Sequence, residues 1–241
     1  MYIQNKTILI TGANRGIGRA LLDEALKRGA KKVYAGTRSG LTHPDKRVVP
    51  IALDVTSASD IERAVKEVDT LDVLMNNAGV AISDDLSDLD VIEQHLAVNL
   101  FGIFNVSRAF LPMLKRSQGA IVNNLSVVAL AALPIIPAYS ISKAAAFSMT
   151  QSLRALLAGR GVTVHAVLTG PTDTEMTRGL DIPKASPETV AQAILDGVEN
   201  GEEDIFPDPM SESVAESWRS GAVKAFERRN AAFAATEHLV A

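Results

Sequence analysis

The sequence contains no cysteine. Disulfides, thiolate metal sites and a cysteine nucleophile are thereby excluded, and the absence fits a cytoplasmic protein. Histidine is scarce: His43, His95, His165 and His238 lack metal-ligand spacing, and all four read as structural or exposed. Aromatic residues make up only 5%. The net charge of −4 is scattered over both signs, so there is no basic stripe of the kind that binds nucleic acid. No uninterrupted apolar run reaches membrane-spanning length; the longest, Val127 to Ala138, is short and carries two prolines. The opening MYIQNKTILITG passes straight into a strand-like run, so no signal peptide is expected.

What remains is ordinary in composition, with 241 residues, 47% hydrophobic and 22% charged. That suits one sizeable domain over residues 1–241 whose core needs no staples. Strand-like runs at Thr7–Ile10, Lys32–Gly36, Val48–Leu53, Asp72–Met75, Ala120–Asn124 and Thr163–Leu168 alternate with helical periods, and Ile205-Phe206 closes the series. Alternation of this kind predicts an α/β fold: a Rossmann-like, doubly wound parallel sheet of about seven strands with helices on both faces. Ser57 is the expected N-cap of a helix to about Val68. A second helix should run from Leu89 to about Arg116, and a third, bearing Tyr139, to about Leu157. Ser186-Pro187-Glu188 starts a helix ending near Asn200-Gly201, and a last helix, exposed or partner-facing, should cover Ser211 to about Ala235. Gly170 to Ala185 has no regular period and reads as a flexible flap over a site.

Two stretches carry chemistry. Thr11-Gly12-Ala13-Asn14-Arg15-Gly16-Ile17-Gly18 lies between the first strand and the first helix. Strand, glycine turn and helix form a phosphate cradle: Gly12 permits the turn, Gly16 admits close approach of a pyrophosphate, and Gly18 lets helix pack on sheet. The second strand ends in Thr37-Arg38, with no acid to meet a ribose 2′-hydroxyl. Arg38 and Arg15 instead suit a 2′-phosphate, so the expected cofactor is NADP(H) rather than NAD(H). Asp54, after the third strand, could meet an adenine amino group. The other stretch, Leu125 to Lys143, holds Ser126, Tyr139 and Lys143. A spacing of four stacks Tyr139 and Lys143 on one helix face, where an ammonium favours the phenolate. With Ser126 as a hydrogen-bonding partner, the group could move a proton on or off an alcohol or carbonyl oxygen.

Taken in order, TGANRGIG at 11–18, Asp54, NNAG at 76–79, Asn99 in N-x-x-G, Ser126 and Tyr139-x-x-x-Lys143 resemble the short-chain dehydrogenase/reductase family in its compact single-domain branch. The resemblance covers nearly the whole chain and implies roles. Tyr139 would donate or accept the proton, Ser126 would position the substrate oxygen, and Lys143 would hold the nicotinamide ribose. Asn99 would hold a water linking Lys143 to solvent. Gly12, Asn14, Arg15, Gly16, Ile17, Gly18, Thr37, Arg38, Asp54, Val55, Asn77, Ala78, Gly79, Gly170, Thr172 and Thr174, with Tyr139 and Lys143, would contact the cofactor. No metal is implied. One departure stands out: where the family usually reads Pro-Gly-x-Val/Ile-x-Thr, this chain has Thr169-Gly170-Pro171-Thr172-Asp173-Thr174.

The implied activity is hydride transfer between NADP(H) and a secondary alcohol or ketone, as in carbonyl reductases and alcohol dehydrogenases. Apolar Val127, Val128, Leu130, Ile135, Ile136 and Leu180 favour a neutral, hydrophobic substrate, although several could equally pack in the core. A catalytically silent NADP-binding sensor or scaffold is the alternative; a sugar-nucleotide epimerase or dehydratase would need a larger C-terminal region. The resemblance also implies a homotetramer, the helices bearing Asn99 and Tyr139 pairing across a two-fold axis with Phe101, Phe104, Phe110, Phe147 and Met149 at hand.

Overall fold

The computed structural model describes residues 1–235; His238 lies outside them. Seven parallel strands form one sheet in the order β3-β2-β1-β4-β5-β6-β7. They are β1 (Thr7–Thr11), β2 (Lys32–Thr37), β3 (Val48–Ala52), β4 (Val73–Asn76), β5 (Ala120–Asn124), β6 (Thr163–Val167) and β7 (Asp204–Ile205). The central strands are buried on both faces, which is why they read as unbroken apolar runs rather than alternating ones. On one face α1 (Gly16–Lys27) and α6 (Pro187–Asn200) pack Leu22, Ala25, Ile194 and Val198 onto Ile8, Ile10 and Val73. On the other lie α2 (Ala58–Glu67), α3 (Leu89–Leu96), α4 (Ile103–Ser117) and α5 (Pro137–Leu157). There Val106, Phe110 and Leu114 pack with Leu9, Leu74 and Ile121. The strand order reverses beside β1, so the C-terminal ends of β1 and β4 open a crevice where ligands bind in such sheets.

Three features depart from expectation. The helix expected over Leu89–Arg116 is interrupted by a π turn, Ala97–Gly102, joining α3 to α4. Leu89–Ser117 is also, by length and composition alone, long and apolar enough to cross a membrane, yet it lies between β4 and β5 with Phe110 and Leu114 buried on the sheet. The last expected helix is two, α7 (Pro209–Arg219) and α8 (Ala222–Ala231). Gly221 is extended between them, and a side chain there would press on the Ser217 carbonyl oxygen. Nor is α8 simply exposed or partner-facing. Lys224 is buried, its ammonium 2.6 Å from Asp204 and 3.0 Å from both Glu203 and Glu227, while Arg154 of α5 pairs with Asp204 and Glu227.

Residues 170–185 contain a short 3₁₀ turn, Glu175–Thr177, and are closed at the base. Asp173 N donates to Ala185 O and Ala185 N to Pro171 O. The buried Asp208 carboxylate, which caps α7, also accepts from Gly170 N at 2.6 Å, tying this loop to the C-terminal helices.

Candidate active site

The glycine turn has the shape its sequence requires. Gly12 sits at φ 69°, in the left-handed region that favours glycine, and an added Cβ would meet Ala78 Cα at 3.0 Å. At Gly18 an added Cβ would collide with the Gly12 carbonyl and the Asn77 amide, so α1 lies directly against the turn. Gly16 is also at positive φ, and a Cβ there would reach the Thr174 side chain at 3.1 Å. The first-turn N–H groups of α1 are unpaired by the helix and form a ready anion site. A dinucleotide pyrophosphate fits such a cradle in kind, since it takes the bare N–H groups at the start of α1. A concavity of about 770 Å³ adjoins it, lined by Arg15, Gly16, Arg19, Thr174, Arg178 and Lys184 together with the acids Asp23, Glu24 and Glu188.

Gly12 N donates to Gly36 O at 2.8 Å, and Asn14 Nδ2 to Ser39 Oγ at 3.3 Å, stitching the turn to the end of β2. Arg15 and Arg38 therefore stand on neighbouring segments; both are exposed and make no ion pair among the described residues. Thr37 is buried and donates its hydroxyl to the Ser39 carbonyl, so only its acceptor capacity is left for a ribose. The Asp54 carboxylate accepts from Thr56 N and Oγ1, and Val55 packs under Gly102.

Polar side chains close the apolar strands at the crevice. Thr11 Oγ1 accepts from Asn77 N and Ala78 N. Asn77 Nδ2 donates to Thr11 O, Asn124 Nδ2 to Asn77 Oδ1, and Thr169 Oγ1 to Asn124 Oδ1. Four strand ends, β1, β4, β5 and the residues after β6, are thus joined by side chains. Beneath them Asn76 Nδ2 donates to Asn123 Oδ1 and Ser107 Oγ. Asn124 is absent from the sequence-based site residues, although its partners Asn77 and Lys143 are among them; doubled asparagines ending two adjacent apolar strands are the signal that could have found it.

Ser126 follows β5 and is buried, its hydroxyl accepting from Val128 N. Proline at the first position starts α5, and the Asp84 carboxylate caps it by accepting from Ala138 N at 3.2 Å. One residue on is Tyr139, and one turn later Lys143, whose Nζ is 5.5 Å from the Tyr139 ring centroid and donates to Asn124 O at 2.9 Å. His95 meets the Tyr139 ring edge-on at 6.1 Å while its Nε2 accepts from Ile82 N. The π turn presents Asn99 to the same place. Its Oδ1 accepts from Val80 N, and its Nδ2 donates to Val80 O and Ser142 Oγ. Both amide hydrogens are spent, so a water at Asn99 can only donate to Oδ1 or meet the backbone. A side chain on Gly79 would crowd Asn99 Oδ1 at 3.2 Å.

Burial governs the charges here. It pushes the Tyr139 hydroxyl up to about 12, with the Ser126 hydroxyl pulling the other way, and pushes the Lys143 ammonium down to about 8. Desolvation outweighs the Ser126 hydrogen bond, so in the protein alone the Tyr139 phenol is held above its ordinary value.

Of the apolar residues assigned to a substrate pocket, Val127 and Leu130 lean on a core cluster with Leu125, Phe147 and Phe206. Val128 and Ile136 are half-buried, and Ile135 and Leu180 are exposed. None of them lines the 770 Å³ concavity, which belongs to the nucleotide side. Gly170 is held by Asp208, whereas Thr172 is buried and its hydroxyl turns to Gly170 O.

The short chain dehydrogenase family profile matches residues 6–184. The chain belongs to the short-chain dehydrogenase/reductase family. Among curated members it is 35% identical to 2-(S)-hydroxypropyl-CoM dehydrogenase 3 of Xanthobacter autotrophicus, over 80% of this chain and 82% of that one. It is 34% identical to a 3-oxoacyl-acyl-carrier-protein reductase of Vibrio cholerae, over 75% and 79%. Among solved structures, a short chain dehydrogenase from Burkholderia cenocepacia in complex with NADP superposes with a TM-score of 0.87 at 38% identity, covering 95% of this chain and 98% of that one. As a short-chain dehydrogenase/reductase the chain is an NAD(P)-dependent oxidoreductase, and the Rossmann-like sheet is that of its family.

Proposed function

We propose that the chain is an NADPH-dependent carbonyl reductase that interconverts a neutral, hydrophobic ketone and a secondary alcohol. The observation that carries this reading is the Tyr139 hydroxyl beside Ser126, with Lys143 one turn behind, at the open edge of a dinucleotide cradle. Bound nicotinamide supplies the hydride. As the carbonyl carbon gains it, the Tyr139 hydroxyl gives its proton to the carbonyl oxygen, and Ser126 Oγ donates a hydrogen bond to that oxygen. Lys143 holds the nicotinamide ribose while its charge steadies the phenolate left behind. Asn99 fixes the Val80 backbone at the rim and offers its acceptor to a water. Asp84, capping α5 one residue before Tyr139, adds negative charge that disfavours anionic substrates. Val127, Val128, Ile136 and Leu180 supply apolar surface for a neutral one. We read residues 1–241 as one domain, with 170–185 as its flap.

The NADP-bound Burkholderia relative supports the cofactor. In this chain Gly12, Gly16, Ile17, Gly18, Asn77, Ala78, Gly79 and Thr174 form the cradle, and Arg38 and Arg15 take the 2′-phosphate. Following nicotinamide absorbance over a panel of carbonyl compounds with NADPH and then NADH tests the whole reading. NADPH should be preferred, and Arg38→Ala should raise its KM about ten- to a hundredfold, the worth of one charged hydrogen-bonding partner, while NADH use hardly changes. Equal use of both by the unmutated protein would refute the cofactor assignment. Binding of NADPH with no turnover of any carbonyl would point to a sensor.

The protein should also assemble with copies of itself, as a tetramer. Phe110 and Phe147 are buried within the chain and cannot serve an interface. Phe101 (53% exposed), Phe104 and Ile141 remain on the outer face of the π turn, α4 and α5, beside small Ala144 and Ser148. Light scattering should give a multiple of the chain mass, and Phe101→Glu with Phe104→Glu should lower it. A monomer mass at micromolar concentration would sink the proposal.

A further inference from the structure

The place where the chain departs from its family's pattern touches both ends of the turn that bears Ser126. Thr169, buried at 5%, stands where a proline is usual. Its carbonyl accepts from Val127 N at 3.1 Å, a contact that a proline would keep. Its hydroxyl donates to Asn124 Oδ1 at 2.8 Å, a contact that a proline cannot make. Among the described residues Thr169 N donates no hydrogen bond, so the hydroxyl is what threonine adds. Asn124 in turn anchors to Asn77, and its carbonyl receives the Lys143 ammonium at 2.9 Å.

We infer that Thr169 is a positioning residue: its hydroxyl locks the Asn124 side chain, and through it the strand end whose carbonyl seats Lys143 and whose next turn carries Ser126. An Asn124 amide without that donor keeps an oxygen with no partner and one fewer restraint on rotation about its side chain. The whole residue can then twist, and with it the carbonyl that faces Lys143. The inference rests on the proposed role of Lys143 in holding the nicotinamide ribose, but its first test needs no turnover.

Trace acetylation with acetic anhydride at pH 8, read by mass spectrometry, reports how firmly Lys143 is held in the full-length protein, with buried Lys224 as an internal control. Thr169→Val and Thr169→Pro both delete the hydroxyl. Each should speed acetylation of Lys143 about three- to tenfold, the worth of one hydrogen bond, while leaving Lys224 unchanged. Thr169→Ser, which keeps the hydroxyl, should return the rate to that of the unmutated protein. In the NADPH assay the same two variants should lose kcat by a similar factor, with KM for the carbonyl compound nearly constant. Lys143 acetylation within about twofold of the unmutated rate in both Val and Pro variants would overturn the inference. So would an equal rise in all three variants, or a rise shared by Lys224, because the hydroxyl would then not be the cause. If no carbonyl is reduced by the unmutated protein, the reductase reading fails, and the acetylation series still decides whether Thr169 seats Lys143.

Discussion

Tyr139→Phe should lower turnover about a hundredfold or more and leave NADPH binding nearly intact. The substitution removes one oxygen from a ring that is otherwise held by packing, with His95 meeting it edge-on, so the local structure has little cause to move. What disappears is the proton source, and a positioned general acid contributes typically 10²- to 10⁴-fold. Because the phenol titrates at about 12, the unmutated enzyme should not lose its acid through Tyr139 anywhere near neutral pH. A fall of kcat on raising the pH through about 8 would instead report loss of charge at Lys143. Stopped-flow traces at saturating NADPH separate chemistry from binding. A variant that keeps more than about a tenth of the activity is irreconcilable with Tyr139 as the acid.

Lys143→Met should make the protein inactive and more stable. Burial lowers the Lys143 ammonium from 10.5 in the unfolded chain to about 8 in the folded one. Between those values the unfolded chain binds the extra proton, so stability rises with pH there. Below about pH 8 both forms are charged, and the full cost of burying the charge is present, roughly 3 kcal/mol. Methionine of similar length avoids that cost but leaves Asn124 O without its donor, a loss of about 1 kcal/mol. A net gain of about 2 kcal/mol is expected in urea unfolding at pH 7, shrinking towards zero by pH 10. Tyr139 acts in the opposite sense at higher pH: its raised value means that the folded chain keeps a proton the unfolded chain releases, so stability falls from about 10 to 12. A methionine variant less stable than the parent at pH 7 would show that the ammonium is better compensated than its surroundings imply.

Sequence disclosed what depends on neighbours along the chain. The seven strands, the caps at Ser57 and Ser186, the positive-φ turn at Gly12 and the one-turn spacing of Tyr139 and Lys143 are all local facts, and the structure places them as expected. What it concealed depends on contacts between distant segments. The π turn exists where Asn99 must meet both backbone groups of Val80, nineteen residues earlier. Capping of α5 comes from Asp84, 54 residues before its partner. The upward shift at Tyr139 could not be read from spacing, because desolvation is set by everything packed around the ring. The burial of Lys224, in a stretch expected to be exposed or partner-facing, could not be read because its partners Asp204 and Glu203 belong to other segments of the chain. The expected closing helix is two because the chain turns extended at Gly221, where a side chain would meet the Ser217 carbonyl oxygen.

That buried lysine bears on how the protein is made. Asp204, on edge strand β7, is held charged against its own burial by Arg154, Lys224 and Trp218. Lys224 follows it by twenty residues, so during translation the carboxylate exists for about one to four seconds before its ammonium partner has been synthesised. Over that interval β7 can dock on β6 only by burying an acid that is half compensated. Strands β1 to β5 bury no carboxylate that awaits a later cation among the described residues. Assembly should therefore proceed from the cofactor side of the sheet, with the β7 edge sealed last, after α8 has emerged.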